Sequence, residues 1–150
     1  MPEVSRQLIR AQVELETKCV PWEDLNCFAN LALDKMATDY KSVGDEGKIT
    51  FFDRGIPDVI AYLKVGGLSV DERFFDAANR FRYAKEVFMA PPWAEIYVND
   101  AERWQTFEEA CVLHDALFSV YKDLEYDIQI LPCISVEERV DFVIGKSNAG

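Results

Sequence analysis

The tightest constraint on this chain is the alternation of short, uniformly apolar runs with longer amphipathic stretches. Ile49–Phe52 and Val87–Ala90 carry little of the polar/apolar alternation a half-solvated strand needs, and Tyr126–Leu131 is a third short strand-like run, stopped by Pro132. Strands of that composition are covered on both faces, the situation of a parallel sheet. Trp22, Leu25, Phe28, Ala32, Met36 and Tyr40 recur every three or four residues, which predicts a helix from Trp22 to about Lys41. Further helices are expected from Val4 to about Glu16, and after Pro57, where Val59, Ile60 and Leu63 precede Gly66-Gly67. Ser69 with Glu72, Thr106 with Glu109 and Ser135 with Glu138 read as capping boxes opening three more. The first of these is expected to reach about Arg82. The second presents Phe107, Ala110, Cys111, His114, Leu117, Phe118 and Tyr121 on one face, and the third holds Val136, Val140 and Val143. The expectation is one α/β domain over residues 1–144, a parallel sheet with helices on both faces, and a polar frayed tail over 145–150. Ligands in such folds bind beyond the carboxyl ends of the strands, which sets Asp53-Arg54 and Pro91-Pro92-Trp93 on one rim.

Composition narrows the function classes. Hydrophobic residues make up 49% of the 150, spread along the whole length, so a disordered chain is excluded. Sixteen basic against 27 acidic residues give a net charge of −11, a field that repels polyanions. Nonspecific nucleic-acid binding is therefore not expected, although a local cationic pocket for one small anion is. No apolar run reaches membrane-spanning length and no signal peptide opens the chain, so a cytoplasmic protein without a membrane partner is expected. Cys19, Cys27, Cys111 and Cys133 form no CxxC pair and His114 is the single histidine, which argues against a zinc site. Reduced thiols are the expected state of all four cysteines.

Three groups could carry chemistry. Asp53-Arg54-Gly55 follows an expected strand, where an aspartate can hold Mg²⁺ and an arginine can pair with a phosphate or hydroxyl. The same tripeptide also reads as a helix cap beside a solvated arginine. Glu3 and Arg6, three apart on one helical turn, suit a base beside an anion clamp, or a simple surface ion pair. Arg80, Arg82 and Arg103 could gather over a rim to neutralise phosphates, or could be scattered on the surface. His114 lies within an apolar stripe and reads as a packed histidine. Two glycine-lysine segments fail as phosphate loops: Gly44–Thr50 has the wrong spacing and precedes a strand, and Gly145-Lys146-Ser147 lacks the first glycine and the following helix.

Taken in order, these segments resemble a known family. Pro2-Glu3-x-x-Arg6, Phe51-Phe-Asp-Arg-Gly-Ile-Pro-Asp58 with Ala61-Tyr62, Arg82-Tyr83, Val87-Phe88, Pro91-Pro92-Trp93 with Ile96-Tyr97, Asp100-x-x-Arg103 with Phe107–Ala110, and Pro132 with Val136–Val140 are similar to small bacterial predicted ATPases. These carry an AAA-type P-loop domain and are close in build to nucleoside and ribosylnicotinamide kinases. The resemblance implies a P-loop NTPase-like, kinase-like parallel sheet, ATP with Mg²⁺ as cofactor, and a small nucleoside-like substrate. It implies Glu3 as base or substrate anchor, Arg6 on the substrate side, and Asp53 and Arg54 as the catalytic pair serving Mg²⁺ and substrate phosphate. Arg103, with Arg82 second, would contact ATP phosphates, and catalysis would rest on positioning and charge.

The family begins with a strand and a glycine-rich loop ending in Gly-Lys-Ser/Thr, and this chain starts after them. The resemblance therefore implies a lost mid-sheet strand between 49–52 and 86–90, and an inactive chain as written. It points to a start placed too far downstream, with Met1 internal to a longer protein. The alternative is a noncatalytic remnant that serves as an interaction or regulatory module.

Overall fold

The computed structural model describes residues 1–44, 47–97 and 106–147. The chain divides into two compact units, Met1–Tyr83 and Ala84–Gly150.

The first unit is helical. Helix α1 spans Val4–Glu14, α2 Leu25–Ser42, α3 Ile56–Val65 and α4 Glu72–Arg80. Helix α3 is the centre: Ile56, Val59, Ile60, Ala61 and Leu63 are all buried. A helix apolar on nearly every side needs neighbours around it, and α2 and α4 pack against it. Phe28, Ala32, Leu33 and Met36 from α2 and Phe74 and Ala78 from α4 complete this core.

The ends of the helices follow from local chemistry. Gly67, at φ +70°, closes α3: its N–H donates to the Lys64 carbonyl at 3.1 Å and that of Leu68 to Leu63 at 3.0 Å. This paired closure needs a left-handed residue, for which glycine is the low-cost choice. Helix α1 closes with the same pair of bonds, Glu16 to Val13 and Thr17 to Gln12, but with a glutamate at φ +52°. Helix α2 starts later than its apolar period suggests because Asp24 caps it, accepting from the Cys27 N–H at 2.8 Å. Helix α4 is capped by Asp71 rather than by Ser69, and it stops at Arg80.

The expected strand Ile49–Phe52 is not a regular strand. Among the described residues its backbone has one partner, Met1, whose amino group donates to the Phe51 carbonyl and whose carbonyl accepts from the Asp53 N–H at 3.2 Å. That pair of bonds is a single parallel rung. An apolar run becomes a strand only when a neighbour satisfies its polar backbone, and Ile49 and Phe51 remain exposed.

The second unit holds the sheet. Strands β1 (Glu86–Met89) and β2 (Asp127–Ile130) pair in parallel, Glu86 opposite Asp127 through Met89 opposite Ile130. Helix α5, Phe107–Asp123, connects them, and α6, Val136–Ser147, follows. Among the described residues the sheet has two strands, fewer than the sequence suggests. Both capping boxes appear as read: Thr106 accepts from the Glu109 N–H at 3.2 Å and Glu138 accepts from the Ser135 N–H at 3.2 Å. The buried face of α5 is made by Leu113, Val120 and Tyr121, while Phe118, expected inside, is exposed. On α6, Val136 and Val140 are exposed at 61% and 47%.

The cysteine expectation fails at one pair. Cys19 and Cys27 form a disulfide, and Cys111 and Cys133 are free thiols. Spacing gave no hint of it, because the two are brought together by the turn between α1 and α2.

Candidate functional site

Three of the residues singled out from sequence meet at one corner of the first unit. Glu3 stands at the N-cap of α1, and Arg6 lies one turn along the helix. The Glu3 carboxylate pairs with both arginines: Oε2 accepts from Arg6 Nε at 3.0 Å, and Oε1 forms an ion pair with Arg54 Nε at 2.8 Å. The Glu3 side chain is 17% exposed and that of Arg54 31%, so this bridge is partly screened from water. With both oxygens engaged, Glu3 orients two guanidinium groups.

Arg54 is placed by an uncommon backbone. It sits at φ +70°, left-handed for a residue with a side chain, where the extended run turns into α3. Gly55 follows in extended geometry and must be small: a Cβ there would lie 2.7 Å from Tyr83 Cε2. The Tyr83 ring is itself held edge-on by Phe52 at 5.1 Å and Tyr40 at 5.6 Å. Asp58 closes the corner, its buried carboxylate accepting from the Gly55 N–H at 2.9 Å.

Tyr62 completes the group. Its hydroxyl accepts from Arg54 Nη1 at 3.1 Å, and the guanidinium carbon lies 5.7 Å from the ring centroid. Burial works against the Arg54 charge, but Tyr62, Asp58 and Glu3 outweigh it and hold the guanidinium protonated beyond its ordinary range. Burial pushes the Tyr62 phenol above its usual value, with Arg54 opposing. Sequence reasoning missed Asp58 and Tyr62 as members of the site. The signal was their four-residue spacing, which puts both on one face of α3.

The remaining candidates fall elsewhere. Asp53 is exposed and makes no side-chain hydrogen bond or ion pair among the described residues. Arg82 precedes Tyr83, and its carbonyl accepts from the Tyr40 hydroxyl at 2.7 Å. Arg80 lies over the Phe81 ring at 5.4 Å. Arg103 lies outside the described residues. Trp93, in the second unit, carries the Arg139 guanidinium 5.7 Å from its centroid. His114 sits on α5 with Nδ1 3.5 Å from Asp115 Oδ1.

The donor set can be tested against Mg²⁺ and a nucleotide triphosphate. Two arginines suit phosphoryl oxygens, and one open carboxylate, Asp53, is the right donor type for a Mg²⁺ that keeps most of its waters. No group of three or more metal-ligating side chains stands together among the described residues. A triphosphate also needs a cradle of free backbone N–H groups at a helix N-terminus. Helices α2, α4, α5 and α6 have a first-turn N–H engaged by their own Asp24, Asp71, Thr106 or Ser135, and Asp58 of α3 takes the N–H of its N-cap Gly55. Gly145-Lys146-Ser147 lies inside α6. Helix α1 has no side-chain cap, and among the described residues neither glycine-lysine segment leads into a helix N-terminus. The described residues thus fit the side of a phosphoryl acceptor, without a glycine-rich triphosphate loop.

Among family models, one described as an AAA domain matches residues 1–139. No match was found among curated proteins or among solved structures. No helix among the described residues is long and apolar enough to cross a membrane.

Proposed function

Since this chain belongs to the AAA-domain family of P-loop NTPases, we propose that its Glu3–Arg6–Arg54–Tyr62 corner is the acceptor side of an ATP-dependent phosphoryl transfer to a small hydroxylated substrate. The observation that carries this is the double grip of Glu3 on Arg6 and Arg54. One carboxylate fixes two cations side by side. Arg54 spends Nε on Glu3 and one Nη1 proton on Tyr62, which leaves its outer N–H groups to donate to an incoming anion. A pair of guanidinium groups held this way stabilises charge on a transferred phosphoryl group without rearranging. Asp53, open beside Arg54, would hold Mg²⁺ against phosphate oxygens, and Arg82 and Arg103 would serve the nucleotide phosphates. The setting is cytoplasmic, where ATP and Mg²⁺ are available.

Supporting this reading is the convergence of residues from two distant segments on one partly buried carboxylate. Its test is ATP consumption by the full-length protein with and without added nucleosides. Arg54→Gln should lower kcat/KM for the acceptor about a hundredfold or more, leaving the KM for ATP within about twofold. Equal loss for ATP and acceptor would move the corner to the nucleotide side and refute the assignment.

The side-chain caps on α2, α4, α5 and α6 favour a second reading, a noncatalytic module of the same fold. It expects a folded chain that binds no ATP, which equilibrium dialysis with labelled ATP decides.

A further inference from the structure

We propose that the Cys19–Cys27 disulfide is a redox-sensitive staple that sets how firmly α1 presents Glu3 and Arg6 to Arg54. This inference rests on the packing of α1 and is independent of the phosphoryl-transfer reading. Helix α1 buries a single residue, Val4, in its first turn. That end is also held by the Glu3–Arg54 pair. The other end leads into the connection from Leu15 to Asp24, where only Cys19 and Val20 are buried. The connection's remaining ties are mostly short-range, such as Thr17 Oγ1 to Gln12 Oε1 at 2.6 Å and the Cys19 N–H to Thr17 Oγ1 at 3.2 Å. The disulfide joins this connection covalently to the first turn of α2, the helix that packs on the buried α3. Helix α1 thus packs on α2 and is tied at both ends, by Met1 and the Glu3–Arg54 pair at the first and by the disulfide at the second. The second tie is a bond that a thiol can open.

The chemistry balances with a dithiol reductant. Cys19 is 8% exposed and Cys27 is half-buried, so attack falls on the Cys27 sulfur. One reductant thiolate bonds to Cys27 Sγ, the Cys19–Cys27 bond breaks, and Cys19 leaves as a thiolate that takes up a proton. The second reductant thiol then attacks its partner sulfur and releases Cys27, which is protonated in turn. Two electrons and two protons enter the protein, and the reductant leaves as its own disulfide.

The test equilibrates the full chain in glutathione buffers from reducing to oxidising, then traps thiols with iodoacetamide and counts adducts by intact mass. The expected count falls from four to two as the buffer becomes oxidising, with Cys111 and Cys133 retaining label. Hydrogen exchange on the same samples should show the amides of α1 exchanging roughly tenfold faster in the reduced form, with α3 and α5 unchanged. Cys27→Ser should reproduce the reduced pattern in either buffer. Four adducts at every poise overturn the proposal, as does identical exchange of α1 in the oxidised and reduced wild-type protein. The wild-type comparison decides even where the variant does not fold.

Discussion

Replacing Gly55 by alanine isolates one contact on which the placement of Arg54 depends. The Gly55 backbone, at φ −147° and ψ −179°, is extended and open to any residue, so conformational strain plays no part. In such a position alanine should stabilise by about 0.4–1 kcal/mol through the unfolded chain alone. Against this, the new methyl would stand 2.7 Å from Tyr83 Cε2 and 3.1 Å from Cζ. The ring cannot simply swing away, because Phe52 and Tyr40 hold it at 5.1 and 5.6 Å. Overpacking of this kind costs about 1–3 kcal/mol. The repulsion wins, and Gly55→Ala should destabilise by roughly 1–2 kcal/mol in urea unfolding, with an unchanged m-value. In a Tyr83→Ala background the same change should become stabilising by about 0.4–1 kcal/mol, because the three atoms that crowd the methyl all belong to the Tyr83 ring and its hydroxyl. Tyr83→Leu, which keeps more of the packing, serves the same purpose where the alanine variant is too weak. If Gly55→Ala costs the same with and without the Tyr83 ring, the proposed contact is refuted.

Three further outcomes follow from backbone and charge. Arg54→Gly should be more stable than Arg54→Ala by about 1 kcal/mol, since both lose the Glu3 pair but only glycine escapes the left-handed strain at φ +70°; equal stabilities in thermal unfolding would contradict that. Glu125 closes α5 at φ +61°, with its N–H on Lys122 at 2.9 Å and that of Tyr126 on Tyr121 at 3.0 Å, so Glu125→Gly should raise stability by about 0.5–1 kcal/mol. A loss of stability there would mean that the glutamate side chain matters more than its backbone. The Tyr62 phenol is raised by burial, so the native state holds that proton more tightly than the unfolded chain does. Its contribution is complete below the unfolded value of about 10 and is lost as pH climbs through the higher folded value. Tyr62→Phe should accordingly lose less stability than wild type between about pH 8 and about pH 11, measured by urea unfolding at each pH.

What could be read from sequence was what is local. The capping boxes at Thr106–Glu109 and Ser135–Glu138, and the end of α3 at Gly66-Gly67, depend on neighbours within a few residues, and they stand as read. Ile49–Phe52 does not, because a strand is a property of two segments and, among the described residues, the backbone of this run pairs with Met1 alone. The placing of Phe118 on the covered face of α5 failed for a related reason. Period gives the stripe, but packing partners decide whether Phe118, Val136 or Val140 is covered. At the site, Glu3 with Arg6 and Asp53-Arg54 were visible as pairs. Their union through Glu3, and the addition of Tyr62 and Asp58, needed the turn at Arg54, which a non-glycine residue does not advertise.

The rung at Met1 bears on how this protein should be handled. Its amino group and carbonyl grip both sides of Phe52, one residue before the Asp53-Arg54 corner and two residues before Glu3 in its own chain. An affinity tag or surface linker attached there replaces an ammonium with three protons by an amide with one, and that proton reaches Phe51 only if the added residues run alongside Thr50 and Ile49. A handle at the Gly150 end leaves the Met1 ammonium chemically unchanged. Two preparations of the same chain, tagged at opposite ends, would then differ in the very residues whose chemistry is being assayed.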